Sequence, residues 1–111
     1  MSERMNISSG APWEPIAGYS RAVRVGQFIE VAGTTAVDAQ GNFFGEGDVV
    51  AQTQYILEKI QHAIEQAGGA LSDVVRTRIF VTDREYMMDV AKVHGKFFGK
   101  ILPASTGVEV G

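Results

Sequence analysis

Apolar and polar positions follow two different rhythms along this chain. From Ser20 the rhythm is that of strands. Ala22-Val23-Arg24-Val25 and Phe28-Ile29-Glu30-Val31-Ala32 flank Gly26-Gln27 and predict two strands about a tight turn. Gly33-Thr34-Thr35-Ala36-Val37 continues in the same style, and Asp38-Ala39-Gln40-Gly41-Asn42 is rich in turn formers. From Asp48 the rhythm becomes helical. Ile56, Leu57, Ile60, Ala63, Ile64 and Ala67 recur at steps of three and four and form one apolar stripe. Gln54, Glu58, Gln61 and Glu65 mark the opposite, wet face. Asp48 is the expected N-cap and Gly68-Gly69 the expected stop.

The second half repeats this alternation. Val74 to Val81 is dense in β-branched residues and predicts the strongest strand. Thr82-Asp83-Arg84-Glu85 has the spacing of a capping box. A second helix then turns Tyr86, Met87, Val90, Val93, His94, Phe97 and Phe98 inward and stops at Gly99. Pro103 interrupts, and Thr106 to Val110 predicts a last strand. The first fifteen residues show neither rhythm, and Pro12-Trp13-Glu14-Pro15 is expected to be extended. The element order is β-β-β-α-β-α-β. Two helices separated by strands pack on one face of a mixed sheet. The other face, with Arg76, Arg78 and Phe80 alternating along it, is left for another subunit to cover.

Length and charge narrow the possibilities. A chain of 111 residues forms one domain, here 1–111. It has no cysteine, which removes disulfides, thiolate nucleophiles, iron–sulfur clusters and most structural zinc sites. Its net charge of -3 argues against a nucleic-acid partner, which calls for a basic stripe. No apolar run exceeds three residues, so no membrane helix is expected, and Met1-Ser2-Glu3-Arg4 leads into no secretory signal. A cytoplasmic protein is expected.

Candidate chemistry is sparse. His62 and His94 fall on different helices, so no metal site is expected, and His94 lies on an apolar stripe as a core histidine would. Most carboxylates sit at turns or helix starts, where capping accounts for them. Glu30 and Glu109 are different, because they lie within strands and can either face solvent or line a cleft between subunits. Gly45-Glu46-Gly47 lacks the remaining marks of a phosphate loop. The residues by themselves point to an oligomeric α/β domain with a small-molecule cleft of unstated chemistry.

Six segments carry a resemblance. Gly18-Tyr19-Ser20-Arg21-Ala22-Val23, Val31-Ala32-Gly33-Thr34, Ala51-Gln52-Thr53, Ala67-Gly68-Gly69-Ala70-Leu71-Ser72-Asp73-Val74-Val75, Ile79-Phe80-Val81-Thr82-Asp83 and Pro103-Ala104-Ser105-Thr106-Gly107-Val108-Glu109-Val110 follow one another in the order and spacing of the RidA/YjgF family of reactive-intermediate deaminases. The resemblance implies a chorismate-mutase-like α+β fold and a homotrimer whose sheets pack inward, with clefts between neighbouring subunits. Deaminating members hydrolyse imines and enamines of 2-amino acids to 2-keto acids and ammonium, without cofactor. An arginine clamps the substrate carboxylate, while backbone groups near the glycine turn and a glutamate place the attacking water. Carried onto this chain, the resemblance implies a small-metabolite site lined by Tyr19, Gly33, Thr34, Ser105, Gly107 and Glu109, with no metal and no cofactor.

Three departures change that expectation. Ser105 stands where the family has its arginine, Ala91 where it has an asparagine, and Gly107 where deaminating members often have cysteine. The family also runs on past the position of Gly111 through one more strand, which bears its water-positioning glutamate; that strand is not expected within these residues. A hydroxyl does not replace a guanidinium–carboxylate contact, and losing it costs about 2–5 kcal/mol. The first reading is therefore a family member without standard imine deaminase activity, holding another small metabolite in the same cleft. The second is a 2-imino acid hydrolase using another arginine, with Arg21 and Arg24 nearest along the chain. The third is a trimeric binding protein without chemistry.

Overall fold

The computed structural model describes residues 3–111. Met1 and Ser2, part of the segment read for a secretory signal, lie outside them. Three short strands come first in space: β1 (Arg4–Ile7), β2 (Ala22–Val25) and β3 (Phe28–Val31) form an antiparallel sheet in that order. The hairpin is the one its sequence predicts, with Val25 opposite Phe28 across Gly26, whose φ is 60°. Helix α2 is preceded by α1 (Trp13–Ala17) and covers Val49–Gln66. Strand β4 (Arg76–Val81), helix α3 (Met87–Phe98) and strand β5 (Ala104–Glu109) complete the chain, and β4 and β5 pair in parallel. Antiparallel and parallel strands with two long helices make an α+β domain. Among the described residues no helix is long and apolar enough to cross a membrane.

Within the first fifteen residues lie a strand, Arg4–Ile7, and the start of a helix, which corrects the reading of an irregular segment. Arg4–Ile7 is a strand because β2 supplies a partner, Asn6 opposite Val23 and Ile7 opposite Ala22. Its residues, Arg4-Met5-Asn6-Ile7, do alternate polar and apolar, but over only four positions. Pro12 to Pro15 is not extended either. Pro12 is the N-cap at φ -66°, and Pro15 falls in the first turn of a five-residue helix, where the backbone N–H has no intrahelical partner to lose. Gly18 ends this helix at φ 78°, its N–H donating to Glu14 O at 2.9 Å. The expected third strand, Gly33 to Val37, does not form, and the third strand of this sheet is β1 instead. The Gly33 to Val37 segment is loop, apart from an isolated bridge between Val37 and Phe43.

Helix α2 begins as predicted, with Asp48 Oδ1 accepting from Ala51 N at 3.0 Å. It closes in a Schellman motif, since Gly68 N donates to Glu65 O at 3.0 Å and Gly69 N to Ile64 O at 2.9 Å. Leu57, Ala63, Ile64 and Ala67 are buried, while Gln54 bonds Glu58 along the wet face. Gly68 has φ 90°, and a Cβ there would lie 2.5 Å from Arg24 Nη1. Gly68→Ala is expected to cost about 1–2 kcal/mol, measured by urea denaturation. An unchanged midpoint would mean that the turn re-forms without a left-handed residue.

The core joins Leu57 of α2 to Val93 and Phe98 of α3, with Ile60, Leu71, Val74, Phe97 and Ile101 packed around them. Tyr86, expected inward, is 42% exposed. It belongs to a 3-10 turn, Arg84–Tyr86, that precedes α3 and points its residues away from the core. That turn is capped by Asp83, whose Oδ1 accepts from Glu85 N at 2.9 Å, rather than by Thr82 as the capping-box spacing implied.

Candidate functional site

The β2–β3 hairpin and α1 place the first group of predicted residues. Tyr19 leaves α1 through Gly18, and Arg21 follows it into the start of β2. Arg21 is 6% exposed. Its Nη1 donates to Gly33 O at 2.9 Å and to Thr34 Oγ1 at 3.0 Å, and Thr34 Oγ1 in turn donates to Ala32 O at 2.9 Å. Arg21 thereby fixes the backbone where β3 ends. The Tyr19 ring lies under the guanidinium, with Cζ 5.7 Å from its centroid. Tyr19, Gly33 and Thr34 are one constellation, and Arg21 organises it. Gly33 is exposed, and a Cβ there would meet nothing within 4 Å, so its bare backbone is open to approach.

Behind Arg21 stands Glu14, 4% exposed. Its carboxylate accepts from Ser8 Oγ at 2.9 Å, from Ser9 N at 3.2 Å and from Ser9 Oγ. Burial by itself would raise its pKa, but these bonds and the charge of Arg21 outweigh that and hold it below the usual carboxylate value. Sequence reasoning passed over Glu14, because a glutamate between two prolines reads as surface. A groove of about 590 Å3 opens beside it, lined by Arg4, Asn6, Tyr19, Val23 and Glu30 among others. Glu30 therefore faces the groove from its strand.

The second group lies on β5, away from the first. All six residues of β5 are exposed, and no β5 residue lines the groove. Ser105 stands opposite Thr77, Gly107 opposite Ile79 and Glu109 opposite Val81. Thr77 Oγ1 donates to Ser105 Oγ at 2.8 Å and lies 2.9 Å from His94 Nε2. This hydroxyl pair and imidazole form a polar thread beneath α3 that no spacing along the chain predicts. Gly107 lets Met87 approach, since a Cβ would lie 2.8 Å from Met87 Sδ. Glu109 Oε2 accepts from Arg84 N at 3.0 Å, a structural contact. Single-chain packing thus leaves Tyr19, Gly33 and Thr34 apart from Ser105, Gly107 and Glu109.

His94 stacks against Phe98, ring centroids 4.6 Å apart, and burial pushes its pKa below the usual histidine value. A base whose folded pKa is depressed stabilises the fold above its unfolded value, and that stability is lost as pH falls. Stability is therefore expected to drop between about pH 7 and 5, and His94→Gln should flatten that drop in urea titrations across the range. An unchanged slope in the variant would assign the acid sensitivity elsewhere.

Neither alternative arginine is a free clamp. Arg24 Nη1 donates to Ala67 O at 2.8 Å and its Nε to Gly26 O at 3.0 Å, which ties the hairpin to the end of α2. Arg21 is committed to Gly33 and Thr34. Among the described residues no cluster of three or more histidine, aspartate or glutamate side chains is placed to hold a metal ion.

Relatives share this architecture. A Mycobacterium tuberculosis structure described as a member of the highly conserved YjgF/YER057c/UK114 family superposes with TM-score 0.86 at 47% identity, covering 97% of this chain and 85% of that one. A RutC family protein of Pyrococcus abyssi is 34% identical over 99% of this chain and 86% of its own length. The 3-aminoacrylate deaminase RutC of Acinetobacter baylyi is 32% identical over 100% of this chain and 87% of its own. The family model for Endoribonuclease L-PSP matches residues 9–111, and the chain belongs to that family, the one that also takes in the RidA/YjgF and RutC proteins.

Proposed function

We propose that this chain is a cytoplasmic homotrimer with a small-metabolite cleft between subunits. In it Tyr19, Gly33 and Thr34 of one copy meet the β5 strand of the next, with Ser105, Gly107 and Glu109. The observation that carries this reading is that all six residues of β5 are exposed, in a strand whose site residues have no counterpart from the first group in the same chain. Exposed Phe80 and Phe28, at 64% and 78%, support burial against further copies. Light scattering at micromolar concentration should return three times the 12.0 kDa chain mass. A monomer mass would overturn the assembly and the cleft with it.

The cleft so built has no guanidinium at the Ser105 position itself, and Arg21 and Arg24, the arginines read as alternative clamps, are tied to Gly33 O and Ala67 O. The chain is therefore a weak or inactive 2-imino acid deaminase, and its ligand is less anionic or held through neutral donors. The likeness to a 3-aminoacrylate deaminase supports a second reading, a cofactor-independent hydrolase of enamines or imines. Generating 2-aminoacrylate in situ with a dehydratase and following keto-acid release separates the two. Acceleration matching an arginine-bearing relative would establish the second.

A further inference from the structure

A second, smaller cavity lies behind the Gly33 turn, between the loop after β1 and helix α2. Its volume is about 60 Å3, and its lining includes Ser9, Tyr19, Arg21, Gly33, Asp38 and Lys59. Two cationic side chains contribute to it. Arg21 Nε is buried and has no hydrogen-bond partner, although Nη1 of the same group has two. A buried charged donor left unpaired is costly, and folded proteins seldom keep one without a partner in reach. Lys59 Nζ donates to Val37 O at 2.7 Å, which leaves it further N–H donors.

The neighbouring carboxylates do not supply the missing partner. Glu14 is occupied by Ser8 and Ser9. Asp38 Oδ1 accepts from Gln40 N and Asn42 N, both at 2.9 Å, and so serves its own turn. Burial first, and then the charge of Arg21, lower the pKa of Lys59, while the charges of Glu14 and Asp38 work the other way and compensate only in part. Arg21 and Lys59, from two different parts of the fold, both line this cavity.

We propose that this cavity binds a small monovalent anion between Arg21 Nε and Lys59 Nζ, one the size of a halide, nitrate or formate. The space of about 60 Å3 is small beside the groove of about 590 Å3, and a small anion is the occupant that suits it. The bound anion offsets the repulsion between the cations and ties α2 to the backbone of Gly33 and Thr34. Neither the trimer nor the β5 residues enter this inference.

The test uses protein freed of halide, held at constant ionic strength with gluconate, an anion too large for the cavity. Chloride, nitrate or formate exchanged for gluconate should raise the thermal midpoint saturably, by about 2–4 °C. Lys59→Gln keeps Arg21 on Gly33 and should fold while losing that response. Crystals grown in bromide should show an anomalous peak within hydrogen-bond reach of Arg21 Nε. A midpoint indifferent to the anion, a Lys59→Gln response equal to that of the original chain, or a cavity filled by water without anomalous signal would each overturn the proposal.

Discussion

Arg21→Met should lower the unfolding free energy by about 3–5 kcal/mol, measured by urea denaturation at fixed protomer concentration. The substitution removes both donors that hold Gly33 O and Thr34 Oγ1, and it leaves Glu14 buried without the cation that helps keep it ionised. Arg21→Lys should recover only part of the loss, because its shorter side chain must reach the point from which Nη1 serves both acceptors, and an ammonium lacks the planar group that lies over Tyr19. The consequences extend beyond stability. Gly33 and Thr34 follow β3 and belong to the proposed cleft, so any ligand of that cleft should bind more weakly to either variant. A cost below about 1 kcal/mol would mean that water replaces the guanidinium, and that the Gly33 turn is held by its own backbone.

Ser105→Arg should strengthen binding of small 2-keto acids such as pyruvate or 2-oxobutyrate by about 1.5–3 kcal/mol, a gain of roughly tenfold to a hundredfold. A charge-assisted, forked contact would replace a neutral hydroxyl on an exposed strand. The new side chain must leave the thread from Thr77 to His94, since Thr77 Oγ1 now donates to Ser105. Thr77 can then turn wholly to the imidazole, so the fold should survive. Calorimetry on both proteins, with the assembly checked by light scattering, decides the matter. No gain in a variant that still assembles would show that the cleft is closed or reshaped and that the site residues carried over from the family do not form one pocket.

Local sequence reports elements well where one rhythm dominates. Helix α2 shows its apolar stripe, its Asp48 cap and its glycine stop, each set by residues within a turn or two of one another. The β2–β3 hairpin is equally legible, because its turn sits between alternating residues. Strand β1 is not, because an alternation of only four residues is too short to read as a strand until β2 offers its edge. Helix α1 escapes notice for the opposite reason: its prolines, which usually forbid helix, occupy the few positions where they do no harm.

The candidate site divides along the same line. The sequence by itself determined the family and the residue types at Tyr19, Gly33, Thr34 and Ser105, since each belongs to a contiguous segment. Only the tertiary structure decided that Arg21 is a buried strap and not a substrate clamp, that Glu14 stands behind it, and that Ser105, Thr77 and His94 share one thread. These partners are separated by many residues of chain. Burial and hydrogen-bond direction arise only when distant segments meet, and a guanidinium looks the same in sequence whether it faces solvent or a carbonyl.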